Sequence, residues 1–130
     1  MRRVIAALAF FALSPISAGD ENIWVHVPGA WVLEAQTLSD LKSKLQAHVE
    51  AKAKSDGRRL RPWSEYVFQY QGQQEQGRKQ IFVNALCRDY PRKNLGERIA
   101  VVLDGGTCFF NLKFDIDRRQ FHDLFINGEA

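Results

Sequence analysis

The sequence is short of the residue types that carry most enzyme chemistry. Its 130 residues include 2 cysteines and 3 histidines, and the histidines are scattered at His26, His48 and His122 with no HxxxH or HExxH spacing. A zinc site needs several such ligands at close spacing, so the sequence predicts no metal site. The cysteines form no CxxC pair, and no GxSxG motif is present. Because no catalytic signature is found, we expect a protein without enzyme activity and without a cofactor.

Excess charge is also missing. The formal net charge is +3, but Arg2 and Arg3 belong to a segment that we expect to be removed; without them 16 basic residues face 15 acidic ones, a net charge of +1. Such a balance gives no electrostatic reason to bind nucleic acid. The content of 45% hydrophobic and 25% charged residues is ordinary for a folded domain and excludes a disordered or collagen-like chain.

The beginning of the chain has the parts of an export signal. Arg2 and Arg3 precede an apolar run over residues 4–13, and Ala18 is a small residue suited to signal peptidase. The apolar run is shorter than the ~20 residues that span a membrane, which argues against a membrane anchor. We therefore predict cleavage after Ala18 and a periplasmic or secreted protein with no membrane span. The predicted domains are a signal peptide over residues 1–18 and a single α+β domain over residues 19–130.

Export determines how the two cysteines are interpreted, because thiols pair in an oxidising compartment. We predict a disulfide between Cys87 and Cys108, which closes a loop of about 20 residues and stabilises the fold by about 3 kcal/mol. The alternative, a reactive or metal-binding pair, is disfavoured by the wide spacing and by the absence of clustered histidines.

Hydrophobic periodicity predicts one helix and five strands. Apolar residues recur at helical spacing from Leu38 to Val49 and predict a helix over residues 38–54, with Thr37 and Asp40 as an approximate capping box. The fold class is therefore α+β, with one long helix packed on a four- to five-stranded antiparallel meander sheet. The predicted strands cover residues 22–27, 65–71, 80–87, 107–115 and 119–127, with residues 72–77 as the polar loop of the first hairpin.

The disulfide also predicts a strand register, since Cys87 opposite Cys108 makes two strands antiparallel neighbours. One face is then apolar and suited to pack on the helix; it pairs Ala85 with Phe110, Val83 with Leu112 and Ile81 with Phe114. The other face is mixed, and we expect it to be partly wet or partly covered by a partner; it pairs Leu86 with Phe109, Asn84 with Asn111 and Phe82 with Lys113. Residues 88–106 must then arch over the sheet edge or add a short strand there.

The densest basic cluster, Arg58, Arg59 and Arg61, stands beside Trp63. Guanidinium groups next to an indole can engage phosphate, lipopolysaccharide or an acidic protein, and the alternative is a solvated connector. The candidate partner surface combines this cluster with the mixed sheet face and consists of Arg58, Arg59, Arg61, Trp63, Phe82, Asn84, Phe109 and Asn111.

The length of the last hairpin loop decides which face of the sheet His122 occupies. A loop of two or three residues turns either Phe121 and Phe125 or Leu124 and Ile126 toward the helix, and His122 changes face accordingly.

The order of a strand, one long helix and four antiparallel strands resembles the cystatin-like layout, in which the sheet wraps the helix. The segments FVNALC at 82–87, DGGTCFF at 104–110 and INGEA at 126–130 look like segments of small exported bacterial proteins without an assigned function. The last hairpin is also similar to that of PepSY modules, which implies a binding or inhibitory role. Residues 71–75 depart from the Gln-x-Val-x-Gly loop of the cystatin inhibitors, so the resemblance does not extend to cysteine-protease inhibition by that loop.

We therefore expect an exported, non-enzymatic binding module that contacts a protein or a cell-envelope component. One alternative is a periplasmic inhibitor or immunity protein against a hydrolase. Another is a small-ligand carrier or small enzyme that uses the concavity between the helix and the sheet.

Overall fold

A computed structural model describes residues 22–91 and 93–129. The predicted signal peptide and its cleavage site after Ala18 lie outside the described residues. Two single-turn 3-10 helices, Trp63–Glu65 and Gly106–Cys108, lead into the second and fourth strands. The main elements in chain order are β1 (Ile23–His26), α1 (Ala35–Ser55), β2 (Tyr66–Glu75), β3 (Arg78–Cys87), β4 (Phe109–Asp115) and β5 (Gln120–Ile126).

Helix α1 buries the predicted apolar stripe, which includes Leu41, Leu45 and Val49. It begins one turn earlier than the sequence predicts, at Ala35. The predicted capping box is wrong, because the N-cap residue is Glu34 and no side chain caps the helix. Alanine and glutamine are favourable helix formers, so the turn over residues 35–38 extends the helix before the predicted cap is reached.

The five strands form one sheet in the order β1-β2-β3-β4-β5. β2 to β5 make the predicted antiparallel meander, but β1 pairs with β2 in parallel, so the prediction of a fully antiparallel sheet is wrong at this edge. The reason is the crossover through α1, which packs on one face of the sheet and returns the chain in its original direction.

The hairpin between β2 and β3 is tighter than predicted. Both strands continue until Glu75 pairs with Arg78, which leaves only Gln76 and Gly77 as the turn. Both turn residues have positive φ, 51° and 78°, as a two-residue turn that matches the strand twist requires. Residues 71–75 therefore belong to a paired strand and not to a protruding loop.

The register of β3 and β4 agrees with the one predicted from the cysteines: Ala85 pairs with Phe110 and Val83 with Leu112. Cys87 and Cys108 form the disulfide, with their Cα atoms 4.9 Å apart. The core lies between α1 and the inner face of the sheet, and its buried members include Leu41, Leu45, Val49, Trp63, Tyr66, Phe68, Ile81, Val83, Phe110, Leu112 and Phe114.

A β-bulge in β5 resolves the position of His122. Four residues, 116–119, connect the paired Asp115 and Gln120, so neither predicted loop length is right. The register shifts between Asn111 and Lys113, and the extra residue on β5 is Asp123, with φ of 54°. As a result Phe121 packs inward before the bulge, Leu124 and Ile126 pack inward after it, and His122 stands beside Lys113 on the outer face.

Candidate functional site

Four of the predicted surface residues meet on the outer face of the sheet, the face that points away from α1. Phe82 and Asn84 of β3 and Phe109 and Asn111 of β4 line one narrow cavity of about 90 Å³. The alternation of side chains along paired strands places them there. Residues 99–102 of the same chain close the cavity from above. Over this half, the predicted mixed face is therefore covered by the protein itself.

The cover is the segment of residues 93–105, which we term the strap. Leu95 of the strap is buried against Val67 of β2 and Leu86 of β3. Further on, the carbonyl oxygen of Val102 accepts a hydrogen bond from the side chain of Asn127, which follows β5. The strap thus crosses the outer face, whereas the sequence predicts an arch over the sheet edge or an added strand for residues 88–106.

Three buried amide side chains hold the backbone of the strap. Gln69 donates from Nε2 to the carbonyl oxygens of Leu95 and Arg98, both at 2.8 Å, and its Oε1 accepts from the backbone N–H of Ala100 at 2.9 Å. Asn84 donates to Gln69 Oε1 and to the Ala100 carbonyl, both at 2.9 Å. Because these amides satisfy its polar groups, the strap can lie on the sheet without becoming a strand.

The third amide, Asn127, fixes the far end of the strap. Its Nδ2 donates to the carbonyl oxygens of Val102 at 2.7 Å and Asp104 at 3.0 Å. Gln69 and Asn127 are not among the site residues predicted from the sequence. A signal for Gln69 is present, since it stands between Phe68 and Tyr70 in the apolar first half of β2 and pairs with Asn84. Two paired amides on this apolar half of the sheet need hydrogen-bond partners, which the backbone of the strap supplies.

The strap turns aliphatic side chains outward. Val101 is 79% exposed and Leu103 is 89% exposed, and Phe125 on the outer face of β5 is 59% exposed. Val101 and Asn111 line the same cavity, and Asn111 pairs with Phe125 across β4 and β5. Val101 and Phe125 thus flank Asn111 on the outer face, and Leu103 follows Val101 two residues later in the strap.

The basic cluster is not a continuous surface. Arg58 donates from its guanidinium to the carbonyl oxygens of Ile126 and Asn127 and so secures the end of β5. Arg61 pairs with Glu65 at 3.1 Å. The predicted place of Trp63 on the surface is wrong, because its ring is 8% exposed and packs in the core. Asn84, at 6% exposure, is likewise interior. Of the three arginines in the cluster, Arg59 is exposed and makes no side-chain hydrogen bond or ion pair within the described residues.

The open half of the outer face holds a polar cleft of about 480 Å³, which includes Glu75, Arg78, Gln80, Asp115 and His122. His122 contacts Gln80 Oε1 through Nε2. The described residues that line this cleft include no serine, threonine, cysteine or tyrosine, so the histidine has no hydroxyl or thiol to activate there.

Asp115 serves the turn between β4 and β5. Its Oδ1 accepts the backbone N–H of Arg118 at 2.9 Å, and its Oδ2 lies 3.4 Å from Arg78 Nη1. The hydrogen bond from Arg118, assisted by the charge of Arg78 and opposed by burial, lowers the pKa of the Asp115 carboxyl below its usual value. The acid is thus held in its ionised form as a structural acceptor.

The three histidines stay separate, on β1, α1 and β5. Within residues 22–91 and 93–129, no group of three His, Cys, Asp or Glu side chains is arranged to hold a metal ion. In the same ranges no helix has the length and apolar character to cross a membrane.

Comparison of the chain with protein-family models, with curated proteins and with solved structures gives no match.

Proposed function

We propose that the protein is an exported, non-enzymatic binding module, and that the strap and the adjoining end of β5 contact a protein or a component of the cell envelope. The observation that carries this proposal is the exposure of Val101 and Leu103, at 79% and 89%, on a segment whose backbone is fixed by buried amides. An ordered apolar surface of this kind favours association, because the backbone of the strap is already fixed and loses little conformational entropy on binding.

Two further features support the proposal. The Cys87–Cys108 disulfide fits an oxidising compartment outside the cytoplasm, as the sequence of residues 1–18 predicts. The order of strand, long helix and four-stranded meander is compatible with the cystatin-like layout, and the similarity of the last hairpin to PepSY modules implies a binding or inhibitory role.

Site-specific photocrosslinking in living cells tests the proposal. A photoreactive amino acid at position 101 or 103 is expected to give adducts, whereas the same group at position 32 is expected to give none. Val32 is the matched control because it is 84% exposed and lies outside the strap, in the connection between β1 and α1. Adducts with a hydrolase would specify the inhibitor alternative. No adducts at position 101 or 103, or equal adducts at position 32, would contradict the proposed contact surface.

A further inference from the structure

The strap carries a second cavity on its solvent side. This cavity measures about 470 Å³ and is open to solvent, and it lies next to the exposed Val101. Its lining joins cationic, hydrogen-bonding and aliphatic side chains, namely Tyr90, Lys93, Asn94, Arg98, Ile99 and Val101.

The cations of this cavity are unpaired. In the described part of the chain, neither Lys93 nor Arg98 has a side-chain hydrogen bond or ion pair, and no carboxylate lines the cavity. Lys113, by contrast, is neutralised by Glu75 at 2.7 Å. A lysine and an arginine that share a cavity without an acid are complementary to an anionic group such as a phosphate.

Aliphatic side chains stand directly beside these cations. Val101 lines the cavity and points into solvent, Leu103 follows two residues later with still greater exposure, and Ile99 is half-buried. A cation next to exposed aliphatic side chains matches a ligand that has an anionic head and an apolar tail. A phospholipid surface presents both at the required depth, since its phosphates lie just above its acyl chains.

We propose that the strap docks on an anionic phospholipid surface, with Lys93 and Arg98 against the headgroup phosphates and Val101 and Leu103 inserted among the acyl chains. This inference rests on the proposed function and names the envelope component. Two cations and two aliphatic side chains give weak, reversible binding, in which each cation contributes about fivefold to the partition coefficient.

Cosedimentation of the oxidised mature protein with vesicles tests the proposal. The protein is expected to bind vesicles of phosphatidylglycerol and phosphatidylcholine in equal parts and to stay in solution with phosphatidylcholine alone. Val101→Asp/Leu103→Asp and Lys93→Glu/Arg98→Glu are each expected to lower binding at least about tenfold. These side chains are exposed, so the variants keep the fold, which circular dichroism verifies.

Matched controls separate the strap from general surface effects. Val32→Asp removes an equally exposed aliphatic side chain, and Lys54→Glu reverses an exposed cation on α1, on the other side of the sheet from the strap; both are expected to bind like wild type. Absence of binding to the anionic vesicles, or equal losses in variants and controls, overturns the proposal. Amide shifts at residues 93–101 with inorganic phosphate, without vesicle binding, would show a free-anion site instead.

The two experiments distinguish failure of the lipid proposal from failure of the proposed function. If vesicles do not bind but Val101→Asp/Leu103→Asp removes a photocrosslinked protein adduct, the strap binds a protein and only the lipid assignment is wrong. If both measurements are negative, the proposed binding surface is wrong as well.

Discussion

A single residue, Gln69, anchors the strap to the outer face of the sheet. Its side chain is fully buried and makes four hydrogen bonds. Its replacement by alanine leaves the polar groups of Leu95, Arg98 and Ala100 without their partner. Each buried unsatisfied group costs about 1–3 kcal/mol, so we expect Gln69→Ala to lower the free energy of unfolding by roughly 3 kcal/mol. Urea denaturation measures the loss, and Gln74→Ala, at an exposed position of the same strand, is the neutral control. Equal stability of the two variants would contradict the anchoring role.

We expect the stability of the protein to depend on pH through two single residues, His48 and Asp115. Burial beside Phe121 lowers the pKa of His48 below 6.5, so protonation favours the unfolded chain and stability falls as the pH drops below about 6.5. The pKa of Asp115 is also lowered, and its stabilising contribution is present above about pH 4 and is lost as the pH falls through the folded-state pKa. We expect His48→Gln to flatten the fall in melting temperature between about pH 7.5 and 5, whereas Asp115→Asn lowers the melting temperature above about pH 4 and flattens its fall at lower pH. Thermal melts from about pH 7.5 to below about pH 4 measure both effects. An unchanged slope of melting temperature against pH in His48→Gln would contradict the role of His48.

On the scale of elements, the connection from β1 to α1 depends on a close approach to β2. Gly29 and Gly72 face each other, and a Cβ on either would collide with a backbone oxygen, that of Gly72 or of Trp31. Such overpacking typically costs about 1–3 kcal/mol, so Gly29→Ala and Gly72→Ala are each expected to destabilise the protein by that amount. Gly128→Ala is the matched control, because nothing lies within 4 Å of its Cβ position. Denaturation midpoints that do not separate Gly72→Ala from Gly128→Ala would refute this account.

The elements also show how far the sequence predicts this fold. The helix stripe and the register of β3 and β4 follow from periodicity and from the cysteines, because both patterns are local or fixed by one covalent bond. The parallel pairing of β1 and the bulge at Asp123 escape prediction. The first depends on where α1 packs, and the second on a single residue with positive φ, which alternation in the sequence does not mark.

On the scale of the whole molecule, the site is harder to predict than the fold. Phe82, Asn84, Phe109 and Asn111 do come together, but the strap that covers them has neither helical nor strand periodicity, and its position is set by buried amides distant in sequence. Arg58 illustrates the opposite error. Its place in a dense basic cluster suggests a contact surface, whereas its guanidinium is engaged by the last strand.

The disulfide couples the stability of the whole molecule to the order of the strap, because Cys87 precedes the strap and Cys108 follows it. We expect Cys87→Ala/Cys108→Ala to lower the free energy of unfolding by about 3 kcal/mol and to increase hydrogen exchange first at the amide of Ala100. Urea titration and exchange mass spectrometry measure the two effects. Reductant is expected to destabilise wild type but not the variant; equal sensitivity would show that the bond is not formed in solution.

The closure of residues 87–108 by a covalent bond has a consequence for sequence change. Both ends of this ring are fixed to neighbouring strands, the backbone of the strap is secured from below by Gln69, Asn84 and Asn127, and Val101 and Leu103 point into solvent. Substitutions at Val101 or Leu103 therefore alter the exterior while the scaffold keeps its stability. The chemistry of this outer surface can therefore change through new side chains at these two positions without a new core.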